Sequence, residues 1–143
     1  MIYKKLNQFD EILDPVQWIK NIAKCVIEVL SKGDSKDNIL VRDIKKIIES
    51  RYSRQLTVNS IAKEVNFSRI HVHRVFSRIT GMTILEYLTQ YRMEMAKELL
   101  IMTNLSLDDI AENVGYNDRK YFQEKFVKYT GQTPSAYRKE KRE

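Results

Sequence analysis

The sequence predicts an all-α fold: two helix-turn-helix units joined by a long linking helix and preceded by an N-terminal helical extension. Three observations carry that prediction. Only four Gly and two Pro punctuate 143 residues, and apolar residues recur at three- and four-residue steps rather than alternating. The chain also repeats itself: LTVNSIAKEVNFS (56–68) returns as LSLDDIAENVGYN (105–117) at an offset of 49, and RVFSRITGMT (74–83) returns as EKFVKYTGQT (124–133) at an offset of 50. Between the copies lies one uninterrupted run of helix-forming residues.

The elements follow in order. Residues 1–37 form the extension, and 38–143 the domain that contains units 38–81 and 105–139 and the linking helix 83–103. Asp14 caps a helix that starts with Pro15 at its first position and stops near Ser31, in a polar stretch, KGDSKD, read as a hinge. Ile12, Val16, Ile19, Ala23, Val26 and Leu30 step along it as a short a/d seam. That helix either dimerises or transmits a signal from an upstream sensor, or it folds back as extra core on the next one. The next helix, about 38–52, turns Ile44, Ile47, Ile48 and Tyr52 inward.

In each repeat Thr57 or Ser106 caps a short helix, which Val65 or Val114 closes. Asn66 and Gly115, the residues best able to adopt a left-handed turn, stand at matching places, and Phe67 and Tyr116 plug the turn. A second helix follows and stops at Thr80-Gly81 or Thr130-Gly131. This is helix-turn-helix spacing, present twice. The linking helix opens on a capping box, Thr83 to Glu86, with Leu85, Leu88, Tyr91, Met95, Leu99 and Met102 at helical spacing. About 20 residues make a rod of about 30 Å, against a repeat of about 34 Å between major grooves on one side of B-DNA.

Composition narrows the function. The net charge of +6 resides wholly in residues 44–143, which suits phosphate backbones. The longest apolar runs are a few residues, so neither a transmembrane span nor a secretory signal is read. The single cysteine, Cys25, sits in an apolar run as a plain core or interface residue, and no disulfide can form within the chain, as suits a cytoplasmic protein. No catalytic constellation, cofactor loop or metal set stands out. His71 and His73 point about 200° apart on a helix and cannot share an ion; His71 turns toward Val72 and Val75 as a part-buried structural residue.

Residues from about 44 to 139 resemble the DNA-binding domain of AraC/XylS-type transcription regulators. The resemblance rests on S-x-x-x-x-x-R-x-F with TGMT-x-x-x-YL (68–88), Tyr91-Arg92 with Ala96-Lys97 and Leu99-Leu100, and I-A-x-x-V-G-Y-x-D with YF-x-x-x-F-x-KYTG-x-TP-x-x-YR (110–138). It implies a sequence-specific DNA-binding regulator, with each unit placing one recognition helix in an adjacent major groove. It also implies activation through RNA polymerase, no cofactor, and a place on the nucleoid in the cytoplasm. The resemblance assigns the first reading helix to Ser68–Ile79, with Arg69, Ile70, His73 and Arg74 facing bases and Arg78 near a phosphate. The second, about 118–128, exposes Arg119, Lys120, Gln123 and Glu124, with Lys125 and Lys128 for phosphates. Backbone amides near Ser68 and Asn117 face phosphates too. Three departures stand out: Glu124 occupies the place of Arg74, Ile70 is apolar, and Asn66 replaces the usual glycine. Arg92 either joins the halves by a salt bridge or touches a phosphate.

Partners expected are double-stranded DNA, RNA polymerase and a second copy through residues 12–30, with no membrane. The competing reading is a protein–protein adaptor that keeps the fold without selecting a sequence. About 43 residues before the domain are too few for a jelly-roll or receiver domain, so the chain is either the C-terminal piece of a larger regulator or a naturally short one.

Overall fold

The computed structural model describes residues 15–143. The Asp14 cap and the Ile12 end of the seam lie outside the described residues, as do the side chains of Trp18, Cys25 and Leu30. Seven helices follow one another, with no strand among the described residues: α1 Pro15–Arg51, α2 Val58–Glu64, α3 Arg69–Thr80, α4 Ile84–Met102, α5 Leu107–Asn113, α6 Arg119–Thr130 and α7 Pro134–Arg142.

The first difference from expectation is in α1. The predicted hinge at KGDSKD is helical, and α1 runs 37 residues without a break. The physical reason is that the stretch contains no proline, and a single interior glycine costs a helix only about 1 kcal/mol. The chain nevertheless divides into two compact units, 1–38 and 39–143. In the first, the described residues Val16, Ile19, Ile22, Val26 and Ile27 are exposed.

The second unit has two apolar cores. One gathers Leu40, Val41, Ile44 and Ile48 of α1 with Ile61 and Ala62 of α2, Val72, Val75 and Phe76 of α3, and Ile84 and Leu88 of α4. The other gathers Met93, Ala96 and Leu100 of α4 with Ile110, Ala111, Val114, Tyr116, Phe122 and Phe126. Helix α4 therefore serves both, which corrects its predicted single stripe. Leu85 and Met102 are 54% and 81% exposed, whereas Met93, Ala96 and Leu100 are fully buried. At about 100° per residue, Ile84 and Leu88 point roughly 130° away from the Met93–Leu100 set. The helix changes face midway because its two halves have different neighbours.

Local caps position each element. Thr57, Thr83 and Ser106 form reciprocal capping boxes with Ser60, Glu86 and Asp109. Ser68, Asp118 and Thr133 cap α3, α6 and α7, the last with Pro134 at the first helical position. The threonine of each Thr-Gly stop adds a bond: the Thr80 and Thr130 hydroxyls donate to the carbonyls of Phe76 and Phe126 at 2.7 and 2.8 Å. In both turns the chain crosses the left-handed region, with Asn66 at φ 59° and Gly115 at φ 91°. The next amide closes the turn, Phe67 N–H onto Ala62 O at 3.0 Å and Tyr116 N–H onto Ala111 O at 2.8 Å. The plugs differ from expectation. Tyr116 is buried at 7% exposure, but Phe67 is 48% exposed and does not plug its turn. Helix α7 closes the second unit. Arg138 donates to the carbonyls of Leu100 and Leu105 at 3.2 and 2.6 Å, and Arg142 to those of Ile101 and Thr103. The bonds to Leu100 and Ile101 satisfy acceptors that the end of α4 leaves unpaired, and those to Thr103 and Leu105 hold the loop that follows.

Arg92 of α4, open by sequence to a salt bridge between the halves or a phosphate contact, joins the two halves through carbonyls. Its Nε donates to Tyr52 O at 2.8 Å and one Nη to Arg54 O at 2.9 Å, just beyond the end of α1. The guanidinium also lies over the Tyr116 ring at 5.2 Å. Gly115 is tightly constrained there: a Cβ would meet Tyr52 O at 2.7 Å and the Arg92 guanidinium at 2.8 Å. Gly81 has the same hand of φ, 75°, but open space around it. Gly81→Ala is accordingly expected to cost about 1–2 kcal/mol, the left-handed penalty alone. Gly115→Ala is expected to cost about 3 kcal/mol or more, because the Arg92 joint must shift as well. Urea unfolding of the two variants side by side checks the order.

Candidate nucleic-acid interface

The two reading helices present unequal faces. On α3, Arg69, Arg74 and Arg78 are exposed cations, and the helix carries no acid. Ser68, Ile70 and His73 are exposed beside them, and together Ser68, Arg69, Ile70, His73 and Arg74 line one shallow surface depression. Ile70 is 80% exposed. Arg74 does not hang loose: its Nη2 lies 3.3 Å from His71 Nδ1, and the His71 ring stacks on Phe67 with centroids 5.0 Å apart. His71 is half-buried, as anticipated, and separated from the exposed His73.

Asn117 before α6, and Arg119, Lys120, Glu124 and Lys128 on it, are exposed, whereas Gln123 and Lys125 are half-buried. Several of these cations are engaged within the protein. Arg119 pairs with Asp108 at 3.1 Å, and the Lys125 ammonium sits 5.2 Å above the Tyr121 ring. Sequence spacing did not reveal the Asp108 pairing, because Asp108 and Arg119 lie on different helices and Asp108 reads as a first-turn acid for α5. Both sides of an exposed ion pair of this kind remain solvated, so it contributes at most about 1 kcal/mol. Its effect on the face is to cancel one positive charge.

The helix starts are unequal too. Ser68 is a neutral cap whose hydroxyl accepts from His71 N–H at 3.2 Å. Asp118 caps α6 with a carboxylate, accepting from Tyr121 N–H at 2.6 Å. A carboxylate already occupies the positive end of α6, so that end attracts a phosphate less than the start of α3 does. A cleft of about 530 Å³ beside the linking helix and the start of α6 is lined by Gln55, Thr89, Arg92, Asn117 and Lys125 among others. Glu94 and Tyr129 tie α6 to the linking helix at 2.7 Å. That bond and Lys97 hold the Glu94 carboxyl below its usual range.

Among the described residues no cluster of His, Cys, Asp and Glu could hold a metal, and no helix is long and apolar enough to cross a membrane. The arrangement is thus a pair of cationic helix faces on one scaffold, the chemistry of phosphate and base-edge contact.

Comparison with known proteins agrees with this architecture. Residues 61–140 match the family model described as a helix-turn-helix domain. The chain is 35% identical over 139 residues to the Msm operon regulatory protein of Streptococcus mutans, covering 94% of this chain and 50% of that protein. The chain therefore spans about half the length of that relative. Its structure is similar to the C-terminal domain of AraT, a response regulator from Geobacillus stearothermophilus, with 36% identity, a TM-score of 0.69, and coverage of 71% of this chain and 84% of that one. It is also similar to the DNA-binding domain of AdpA, a global transcriptional factor solved in complex with a target DNA, with 25% identity, a TM-score of 0.68, and coverage of 71% and 92%.

If the Asp108 pair mutes one cation of the α6 face, Asp108→Asn should raise affinity for a random duplex. It should steepen the log K against log salt slope by about 0.9, one extra phosphate neutralised. Fluorescence anisotropy across a salt series measures this; an unchanged slope would show that Arg119 lies away from DNA.

Proposed function

Because the chain belongs to the AraC-type helix-turn-helix regulators, we propose that it controls transcription by binding duplex DNA sequence-specifically, with α3 and α6 in successive major grooves. The observation that carries this reading is the α3 face. An isoleucine left 80% exposed among three arginines and a histidine does nothing for the core. It suits a thymine methyl, as Arg69 and Arg74 suit guanine edges. Ser68 and Arg78 hold phosphates on either side.

Helix α6 supplies the second contact, through Asn117, Arg119, Lys120 and Gln123, with Lys125 and Lys128 on the backbone. Glu124 tolerates only a cytosine amine, so α3 carries most of the discrimination and α6 mostly affinity. The linking helix of 19 residues spans about 28 Å, which suits two grooves about 34 Å apart. A single chain then reads both half-sites.

The Msm protein's name, operon regulation, comes to this chain as part of the same proposal. Activation proceeds through contact with RNA polymerase on nucleoid DNA in the cytoplasm. The exposed stripe of Val16, Ile19, Ile22, Val26 and Ile27 supports the reading of residues 12–30 as a dimer seam, since a soluble helix rarely leaves such a stripe uncovered.

A duplex selected from a random pool supplies the ligand for the test. His73→Ala with Arg74→Ala should weaken binding to it by about ten-fold or more while binding to random DNA falls less, the loss of a base contact. Lys128→Ala should instead lower both affinities alike and flatten the salt slope by about 0.9. Equal losses on selected and random duplex for the α3 variant would refute base reading. For the seam, sedimentation should show a dimer that Ile19→Glu with Val26→Glu converts to monomer.

A further inference from the structure

Each helix-turn-helix unit carries an aromatic pair under its reading helix. In the first unit Phe67 stacks on His71 at 5.0 Å; in the second Tyr116 meets Tyr121 at 5.8 Å. The repeat places these residues in register, Phe67 with Tyr116 and His71 with Tyr121. A cation rests on each pair: Arg74 bonds the His71 ring edge, and Lys125 lies over the Tyr121 ring. The pairs are not equally buried, and only in the first unit does the upper ring itself contain an accepting nitrogen.

A guanidinium has five N–H donors and no acceptor. The 3.3 Å contact between Arg74 and His71 Nδ1 therefore requires Nδ1 to accept and the ring proton to reside on Nε2. Side chains on a helix lean toward its N-terminus, and the N-terminal residues of a recognition helix are those that meet base edges. Arg74 thus runs back along α3 past His71, toward Arg69 and Ile70. The bond spends one N–H and leaves the others for a base. A free arginine side chain loses rotamer entropy on being fixed; one already held at a ring loses less on binding.

We infer that His71 is a positioning residue for DNA reading: stacked on Phe67, it accepts a hydrogen bond that aims Arg74 at its base. This rests on the reading of α3 proposed above. It gives the half-buried His71 a task distinct from filling the core, and it makes the pair Phe67–His71 a determinant of specificity rather than of affinity.

Three variants of the full chain test it, on the selected duplex and on random DNA. His71→Phe keeps the stacked ring and removes the acceptor. His71→Asn discards the ring and keeps an acceptor close to the Nδ1 place. Arg74→Ala removes the reader. Arg74→Ala should lower the ratio of selected to random affinity by about five-fold or more, the low end for one bidentate contact. His71→Phe should lower the ratio by at least about two-fold, His71→Asn should recover part of that loss, and His71→Phe should add nothing further once Arg74 is Ala. Thermal unfolding identifies variants that are merely unstable; for those, the ratio is read well below their melting temperature. A ratio unchanged in His71→Phe while Arg74→Ala lowers it would overturn the positioning role alone. A ratio unchanged in Arg74→Ala would overturn the α3 base reading and this inference with it. An independent, additive loss from His71→Phe would assign His71 to packing and also overturn the inference.

Discussion

The guanidinium of Arg92 is the joint between two half-domains that otherwise have separate cores. It draws together three chain segments: the carbonyls of Tyr52 and Arg54 after α1, its own helix α4, and the Tyr116 ring of the second turn. Tyr52 packs against both cores, so the joint has an apolar as well as a polar part. Because the guanidinium fills the space beside Gly115, the second turn can carry no side chain there. A turn that needs φ 91° and a joint that needs an empty Cβ position converge on the same glycine. A charged group that donates to buried-edge carbonyls, with an aromatic face on its other side, has little freedom to reorient. The separation of α3 and α6 follows from it.

That separation matters because the two reading helices divide the task. Helix α3 begins with a neutral cap and carries three arginines without an acid; α6 begins with a carboxylate and carries four cations and Glu124. The net charges of the two helices are similar, and what differs is which groups engage the charges. Arg119 is paired to Asp108 and Lys125 rests on Tyr121. On the first helix the bond between His71 and Arg74 leaves the arginine most of its donors. In the proposed reading, the same supersecondary unit, duplicated, serves as a reader in one copy and an electrostatic anchor in the other.

The duplicated frame was legible because its signals are local. Caps, left-handed turn residues and Thr-Gly stops act within four or five residues of chain, and the five helices predicted over the two repeats and the link formed as α2 to α6. Local signals also mislead where no breaker is present: KGDSKD is polar enough for a loop, but without proline it stayed helical. Periodicity alone read α4 as one stripe through Leu85 and Met102, both of which are exposed, because a pattern within one helix cannot say that its halves pack against different partners.

Sequence alone thus specified the helices, their repeat and the residue types available for reading DNA, since each depends on neighbours in the chain. Tertiary structure alone decided which of those residues are free to act. Phe67 lies outward while its counterpart Tyr116 is buried. Asp108 reaches Arg119 across 11 residues, and Arg92 chooses carbonyls 38 and 40 residues away over any carboxylate. Such partners are set by the packing of helices against one another, and no spacing along the chain encodes that geometry.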